Sequence, residues 1–193
     1  MAKSIGNKTN IAVFISGRGS NLKYLIKNSK YKNSLFRVNL VISNNSNALG
    51  LKYAEKSKIK FYVINYNNIE NAEIKLLQLL KKFKIELICL AGFMKIISKN
   101  FIDKFNKPIL NIHPSLLPKY KGLNTHFRAI RNKDKYSGST VHLVTEKLDS
   151  GKIILQKKIK ISKLDNVKSL EKKVLKIEHK IYSAAVCKFL SNL

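Results

Sequence analysis

Short apolar runs alternate with amphipathic segments along most of the chain. Five runs of four to six residues, mostly β-branched or aromatic, have the composition of strands buried on both faces of a parallel sheet. They are residues 11–16, 38–43, 61–64, 87–91 and 109–112. Because the segments between them have helical spacing, this order predicts a parallel sheet with helices on both faces.

Apolar residues at three- and four-residue spacing mark three helices. The stripes are Leu22, Leu25 and Ile26; Ile74, Leu77 and Leu80, widened by Leu76, Leu79 and Phe83; and Val167, Leu170, Val174, Ile177, Ile181 and Ala184. Residues 139–145 and 153–161 instead alternate apolar and polar side chains, which predicts a mixed or antiparallel extension of the sheet. The predicted fold class is α/β, with a Rossmann-like, mostly parallel sheet.

The length of 193 residues suits one domain, and no linker or repeat divides the chain, so we expect a single domain over residues 1–193. No run of 18 apolar residues is present, and the N-terminal apolar stretch is too short for a signal peptide. Cys89 and Cys187 lie in apolar periodic segments and are interpreted as buried free thiols. We therefore expect a cytoplasmic protein that does not bind a membrane.

The formal charge of +27 raises the question of nucleic-acid binding. However, 34 of the 38 cationic residues are Lys and only 4 are Arg, whereas nucleic-acid readers depend on the forked Arg side chain. The lysines are also spread along the whole chain. We interpret the charge as compositional drift and expect no specific nucleic-acid partner, although a basic nucleic-acid-binding module is the alternative from a different class. The positive field would still attract small anionic substrates.

The first candidate site is SGRGSN at residues 16–21, between the first predicted strand and the first helix. Glycines allow a ligand to approach the backbone, and the free N–H groups at a helix start favour an anion. Ser20 and Asn21 are candidates to cap the helix or to bind phosphate oxygens. The segment is neither a Walker A loop nor a full dinucleotide fingerprint. It predicts a monophosphate site at the end of the first strand, with a plain glycine turn as the alternative.

The second candidate site is NIHPSLLPKYKG at residues 111–122, which leaves the last predicted parallel strand. Asn111 and His113 are two residues apart, so an extended strand directs both side chains to one face, where they could act on one carbonyl. Asp149 lies in the turn between the two late strands and is either a turn-forming residue or a functional one. The remaining histidines have weaker claims; they are His126, His142 and His179. No group of residues has the spacing of metal ligands, so no metal is expected.

Together these segments closely resemble the phosphoribosylglycinamide (glycinamide ribonucleotide) formyltransferases of the folate-dependent formyltransferase superfamily. The matching text is SGRGSNL at 16–22, LAGFMKIIS at 90–98, NIHPSLLPKYKGLNTH at 111–126, GSTVHLVTEKLDSGKIILQ at 138–156 and IEHKIY at 177–182. The resemblance covers essentially the whole chain at similar spacing. It implies formyl transfer from 10-formyltetrahydrofolate to the amine of phosphoribosylglycinamide in purine biosynthesis, without a metal, by a monomer or homodimer acting on small molecules.

The resemblance also implies residue roles. The catalytic trio would be Asn111, His113 and Asp149; the ribonucleotide would be held by Gly19, Ser20, Asn21 and Glu178; and the folate pocket would be lined by Met94, Lys95, Ile96, Ile97, Asn111, Val144 and Thr145. The phosphate-binding half would cover roughly residues 1–105 and the folate and catalytic half roughly residues 106–193. Because a carboxylate favours imidazolium, we expect Asp149 to raise the pKa of His113. Protonated His113 and Asn111 would then stabilise an oxyanion.

The chain departs from the family pattern at three positions: Asn124 replaces a frequent His, Lys95 replaces the usual Arg, and an Arg expected near Ile69 is absent. The nearest rival within the superfamily is formyltetrahydrofolate deformylase, which hydrolyses the same donor. It typically has an additional N-terminal regulatory domain and a different residue after the catalytic His, where this chain has Pro114. A second relative, methionyl-tRNA formyltransferase, would require a C-terminal tRNA-binding domain. Neither rival accounts for the glycine segment as well.

Overall fold

The computed structural model describes residues 8–192 and contains one seven-stranded sheet in the order β3-β2-β1-β4-β5-β6-β7. The strands are β1 Thr9–Ile15, β2 Phe36–Ser43, β3 Lys60–Val63, β4 Leu87–Leu90, β5 Ile109–His113, β6 Tyr136–Leu143 and β7 Ile153–Lys160. The helices are α1 Ser20–Ser29, α2 Leu51–Lys56, α3 Ile69–Lys82, α4 Lys99–Phe105, α5 Thr125–Arg131 and α6 Val167–Ser191. Strands β1 to β5 are parallel, and β6 and β7 are antiparallel additions, so the predicted fold class is confirmed.

The central strand β1 divides its side chains between two apolar layers. Ile11, Val13 and Ile15 pack in the layer that contains α1 and α6, whereas Ala12 and Phe14 pack in the layer that contains α3 and α4. Alternation across a strand buries both sets when helices cover both faces, which is why this run is apolar throughout. The apolar run of β1 therefore lies at the centre of the fold, between the two helical layers.

The edge strand β3 differs from the prediction that all five runs are buried on both faces. Phe61 and Val63 are 39% and 42% exposed. Strand β3 pairs only with β2, so it has a neighbour on one side and less helix cover than the central strands. A short apolar run predicts a strand, but it does not distinguish a central position from an edge position.

Two predicted helix stripes are also rotated from their observed buried faces. On α3, Ile74 is exposed, and the buried positions are Ala72, Leu76 and Leu80. On α6, the predicted Ala184 is exposed and its neighbour Ala185 is buried, four residues after Ile181. Adjacent apolar residues make either of two stripes possible, and packing against the sheet selects one of them.

The order of the strands places the carboxyl ends of β1 and β4 beside each other. From β1 the chain runs outward to β2 and β3, and β4 then pairs on the opposite side of β1. Open α/β sheets bind ligands in the crevice at such a switch point. Both free cysteines belong to the apolar layer around α6, where Cys89 is buried as predicted and Cys187 is only half-buried. Within residues 8–192, no helix is both long enough and apolar enough to cross a bilayer.

Candidate active site

The structure brings the three predicted catalytic side chains together at the carboxyl end of β5. Asn111 and His113 lie on β5, and Asp149 follows β6 in the turn that leads to β7. His113 Nδ1 lies 3.3 Å from Asp149 Oδ2, and both side chains are more than nine-tenths buried. Gly122 N–H donates to the same Asp149 oxygen at 2.8 Å. A buried ion-pairing geometry of this kind is typical of acid–base sites.

His142, which had a weaker claim in the sequence, belongs to the same cluster. Its strand β6 pairs with β5 so that His142 lies opposite Asn111. His142 Nε2 is 3.2 Å from Asn111 Nδ2 and 3.5 Å from Asp149 Oδ1. Its Nδ1 is 2.8 Å from the Leu143 carbonyl, which only accepts hydrogen bonds, so Nδ1 holds the proton and Nε2 is free to accept from Asn111. Cross-strand pairing was the missing signal, because it depends on the register of two strands.

The segment between β5 and α5 is held against β6. Thr140 Oγ1 donates to the Ser115 carbonyl at 2.6 Å and accepts from Leu117 N–H at 3.1 Å. Ser139 Oγ donates to the His113 carbonyl at 2.9 Å. These bonds fix the main chain from His113 to Leu117, so the imidazole projects from a rigid support.

The second nitrogen of His113 has its own acceptor. His113 Nε2 donates to the Tyr120 carbonyl at 2.8 Å. Both ring nitrogens therefore face acceptors: a carbonyl at Nε2 and the Asp149 carboxylate at Nδ1. A neutral His113 keeps its proton on Nε2, and an imidazolium finds a partner for each of its two N–H groups.

Burial changes the expected protonation of His113. Burial lowers the pKa of His113 below its ordinary value, and the Tyr120 carbonyl and the charge of Asp149 oppose this effect without cancelling it. The charge of Asp149 raises the pKa of His113 as expected, but desolvation outweighs this contribution, so the pKa of His113 is lowered overall. For Asp149, burial alone would raise the pKa, yet the neighbouring His142, the hydrogen bond from Gly122 N–H and the nearby His113 bring it below its ordinary value. Asp149 is therefore the anion of the pair.

The predicted phosphate loop forms a tight turn between β1 and α1. Gly19 has φ +68, and a Cβ there would lie 2.4 Å from the Gly50 Cα. Gly50 N–H donates to the Gly17 carbonyl at 3.0 Å, so the loop is supported by the chain before α2. Gly19 is the N-cap of α1 and no side chain caps the helix, so a capping role for Ser20 or Asn21 is wrong. The first N–H groups of α1 remain free for an anion.

Asn21 instead connects the loop to the C-terminal helix. Asn21 Nδ2 donates to Glu178 Oε2 at 2.7 Å, and both residues are buried. Asn21 Oδ1 is buried and has no hydrogen-bond partner among residues 8–192. Burial raises the pKa of Glu178 to about 7, against the bond from Asn21. The predicted phosphate and ribose residues are thus adjacent, and one of them has an unused acceptor.

The predicted folate residues form the segment after β4 and the strand end of β6. Met94 and Ile96 are 66% and 79% exposed, whereas Ile97 is buried in the layer with α3 and α4. Met94 N–H donates to Ser16 Oγ at 2.7 Å, and this hydroxyl donates to Asn44 Oδ1 at 2.5 Å. Ser16 therefore joins this segment to the start of the phosphate loop.

The exposed Met94 and Ile96 follow β4, and the half-buried Val144 and exposed Thr145 follow β6, so the two groups flank β5, which carries Asn111 and His113. Asn124, one of the departures from the family pattern, is the N-cap of α5 and makes no side-chain capping bond. Ile69, near the missing Arg, is the exposed first residue of α3. Among residues 8–192, no three His, Cys, Asp or Glu side chains are grouped so as to hold a metal ion.

Comparison with known proteins defines the class of this site. Residues 9–186 match the family model described as formyl transferase, so the fold and the site are those of a formyl-group transferase. The phosphoribosylglycinamide formyltransferase of Haemophilus influenzae is 40% identical over 179 residues, covering 91% of this chain and 84% of that protein. The solved phosphoribosylglycinamide formyltransferase of Brucella melitensis has a TM-score of 0.90 at 39% identity, covering 95% of this chain and 96% of the other.

The chain therefore belongs to the formyl transferase family, among the phosphoribosylglycinamide formyltransferases. It is also 43% identical to part of the human trifunctional purine biosynthetic protein adenosine-3, covering 93% of this chain but only 18% of that longer protein. The family resemblance found in the sequence is confirmed, and the names of the relatives favour the transferase over the deformylase. The roles of the individual residues stay predictions.

Proposed function

We propose that this protein transfers the formyl group of 10-formyltetrahydrofolate to the amine of phosphoribosylglycinamide, giving formylglycinamide ribonucleotide and tetrahydrofolate. The observation that carries the proposal is the buried pair of His113 and Asp149 beside Asn111, on the sheet edge that also bears the glycine loop. The glycine loop follows β1 and the trio lies at the end of β5, and both strands pair with β4. Two substrates, one with a phosphate, can therefore meet at this edge of the sheet.

The chemistry is acyl transfer. The amine nitrogen bonds to the formyl carbon, and the carbonyl electrons move onto the oxygen. The Asn111 amide and His113 donate hydrogen bonds to this developing oxyanion. Burial keeps the pKa of His113 low before substrates bind, but the negative charge of the oxyanion favours imidazolium. Nδ1 of His113 therefore takes up the proton that the attacking nitrogen releases as the transition state forms, and gives it up toward the folate nitrogen when the oxyanion collapses.

The proton balance assigns a role to Asp149. The attacking nitrogen must lose a proton, and the folate nitrogen must gain one as its bond to the formyl carbon breaks. Asp149 is the buried anion next to Nδ1 of His113, so it orients the imidazole and positions a water that relays this proton. After one turnover the enzyme therefore has the same protonation state as before it.

The remaining predicted residues bind the two substrates. Gly19, Ser20 and Asn21 hold the phosphate at the start of α1, and Glu178 holds the ribose. Folate binds along the segment that contains Met94, Lys95, Ile96 and Ile97, with Asn111, Val144 and Thr145 beside it. The phosphate-binding half of the chain thus precedes residue 106, and the catalytic half follows it.

The setting of the enzyme is part of the proposal. It acts on small molecules in the cytoplasm, needs no metal, and is a monomer or homodimer without a specific nucleic-acid partner. The two free thiols, Cys89 and Cys187, support a reducing compartment. The positive charge of +27 supports attraction of two anionic substrates.

The test is a spectrophotometric assay of tetrahydrofolate release from 10-formyltetrahydrofolate, with and without phosphoribosylglycinamide. Release that requires the ribonucleotide supports the transferase. Release without it indicates a deformylase, and folded protein that releases nothing in either case contradicts the proposal. His113→Ala is the matched variant, and we expect it to lose about 100-fold or more in kcat because it removes an oxyanion donor.

A further inference from the structure

Tyr120 lies in the segment between β5 and α5 with a backbone conformation that aromatic residues rarely adopt. Its φ is +58, in the left-handed region. For a residue with a Cβ, this conformation is strained and persists only when the surroundings hold it. The carbonyl of Tyr120 is the group that accepts from Nε2 of His113.

Two charged groups lie over the aromatic ring of Tyr120. Lys119 Nζ lies 5.1 Å from the ring centroid and Arg128 Cζ lies 4.9 Å from it. Both distances are within the range of cation–π attraction. Arg128 also donates to the Lys121 carbonyl at 2.7 Å, which ties the same guanidinium to the next residue of the segment.

The hydroxyl of Tyr120 is held as firmly as the ring. It donates to Asp134 Oδ2 at 2.8 Å and accepts from Asn132 Nδ2 at 2.8 Å. The other oxygen of Asp134 pairs with Lys119 Nζ at 2.7 Å. We call the four residues Lys119, Arg128, Asn132 and Asp134 the Tyr120 clamp. It anchors the left-handed residue to α5 and to the turn that follows α5.

We propose that Tyr120 is a positioning residue, whose clamped side chain holds its own carbonyl against Nε2 of His113 and thereby directs Nδ1 toward the reacting atoms. The carbonyl only accepts, so it requires a proton on Nε2 and leaves Nδ1 as the nitrogen that gains and loses a proton. Nδ1 is also the nitrogen that lies next to Asp149. This inference rests on the proposed function, in which His113 is a catalytic residue.

The test uses Tyr120→Phe, which keeps the ring next to its two cations and removes only the hydroxyl bonds. Tyr136→Phe is the matched control, because Tyr136 also has a cation over its ring, Lys158 Nζ at 5.2 Å, but lies at the start of β6 away from the trio. Nitrogen NMR of histidine-labelled protein, recorded across pH, measures the tautomer and the pKa of His113 without any substrate.

We expect Tyr120→Phe to reduce the Nε2-protonated fraction of neutral His113 and to lower its pKa, because a looser carbonyl no longer supports the N–H. We expect kcat to fall about 3- to 10-fold, with less than about a twofold change in the KM for the ribonucleotide. The other groups facing His113 are Asp149 and His142 from β6 and its turn, and His126 and Arg128 from α5. Tyr120→Phe leaves all four in place, and Tyr136→Phe should match the wild type.

A His113 spectrum unchanged by Tyr120→Phe overturns the positioning role. The proposed function fails separately, if the wild type transfers no formyl group or if His113→Ala keeps the wild-type kcat. Should Tyr120→Phe not fold, Asp134→Asn serves as the second variant, because it keeps an oxygen for the hydroxyl but removes the ion pair with Lys119. It should shift the His113 tautomer in the same direction by a smaller amount, and an unchanged tautomer there also overturns the role.

Discussion

Asp149 combines an unusual backbone conformation with a buried charge. Its φ is +47, a conformation that Asp and Asn tolerate better than most residues, and its carboxylate contacts His113, His142 and Gly122 N–H. A turn-forming Asp would need only the first of these properties. The second places Asp149 at the centre of the site.

Asp149→Asn should therefore lower kcat by about 100-fold or more while changing either KM by only a few-fold. Asn retains the left-handed turn and an oxygen for Gly122 N–H, but it loses the charge that orients His113. Steady-state kinetics for both substrates measure this split. Equal losses in kcat and in substrate affinity would show that Asp149 mainly shapes the binding site.

Glu178 gives a prediction about stability. Its pKa in the folded protein is raised to about 7 from an unfolded value of 4.5, chiefly by burial. The folded state therefore binds more protons between these values, so Glu178 contributes stability below pH 4.5 that is lost as pH rises toward 7. The loss amounts to roughly 3 kcal/mol.

Glu178→Gln should remove this loss. Urea unfolding at several pH values from about 4.5 to 8 gives the free energy of unfolding for the wild type and the variant. Glu55→Gln on the exposed face of α2 is the control, and its pH dependence should parallel that of the wild type. A wild-type curve that runs parallel to the Glu178→Gln curve would contradict the raised pKa.

At the scale of elements, the glycine loop shows how two segments fit only without side chains. Gly19 contacts the backbone of Gly50, which in turn lies against the side chain of Ile15 at the end of β1. The loop thus has one fixed shape before any ligand arrives. A preformed loop exposes the first N–H groups of α1 without a further ordering cost.

Gly19→Ala and Gly17→Ala form a matched pair that tests this shape. Gly19→Ala should destabilise the protein by about 1–3 kcal/mol and raise the KM for the ribonucleotide about tenfold or more, because the Cβ meets Gly50 and φ is positive. Gly17→Ala should be close to wild type, since nothing lies within 4 Å of its Cβ. Thermal melts and kinetics with varied ribonucleotide measure both effects, and identical behaviour of the two variants would contradict the assigned role of Gly19.

At the scale of the whole molecule, the charge of +27 is a property of the surface. Such a field raises association rates for anionic ligands, and salt screens it. We expect kcat/KM for the ribonucleotide to fall several-fold between about 50 and 300 mM NaCl, with kcat nearly constant. A kcat/KM that does not depend on salt would show that the charge does not steer the substrates.

The same field gives the outcome expected for nucleic acid. A filter-binding titration should detect binding that disappears as salt rises to physiological concentration, because the contacts are a sum of lysines with phosphates. Saturable binding of one nucleic acid at physiological salt would instead support the alternative of a basic nucleic-acid-binding module.

The sequence by itself determined the strands, three of the six helices that the structure describes in residues 8–192, the fold class and the family. Runs such as that around Val13 and Phe14 are apolar on both faces because helices cover both sides of the sheet, and this burial is recorded in local composition. The motifs also indicated Asn111, His113, Asp149 and the glycine loop, because each stands at a strand end where ligands bind.

Only the tertiary structure decided how these parts meet. The pairing of β5 with β6 brings His142 to Asn111, and the clamp of Tyr120 places a carbonyl on His113; both depend on residues distant in the sequence. The net pKa of His113 also follows from burial, which local sequence does not record. The hydrophobic periodicity of a segment indicates which of its positions are buried. Strand register, side-chain packing and desolvation arise only when the buried faces of different helices and strands pack against each other.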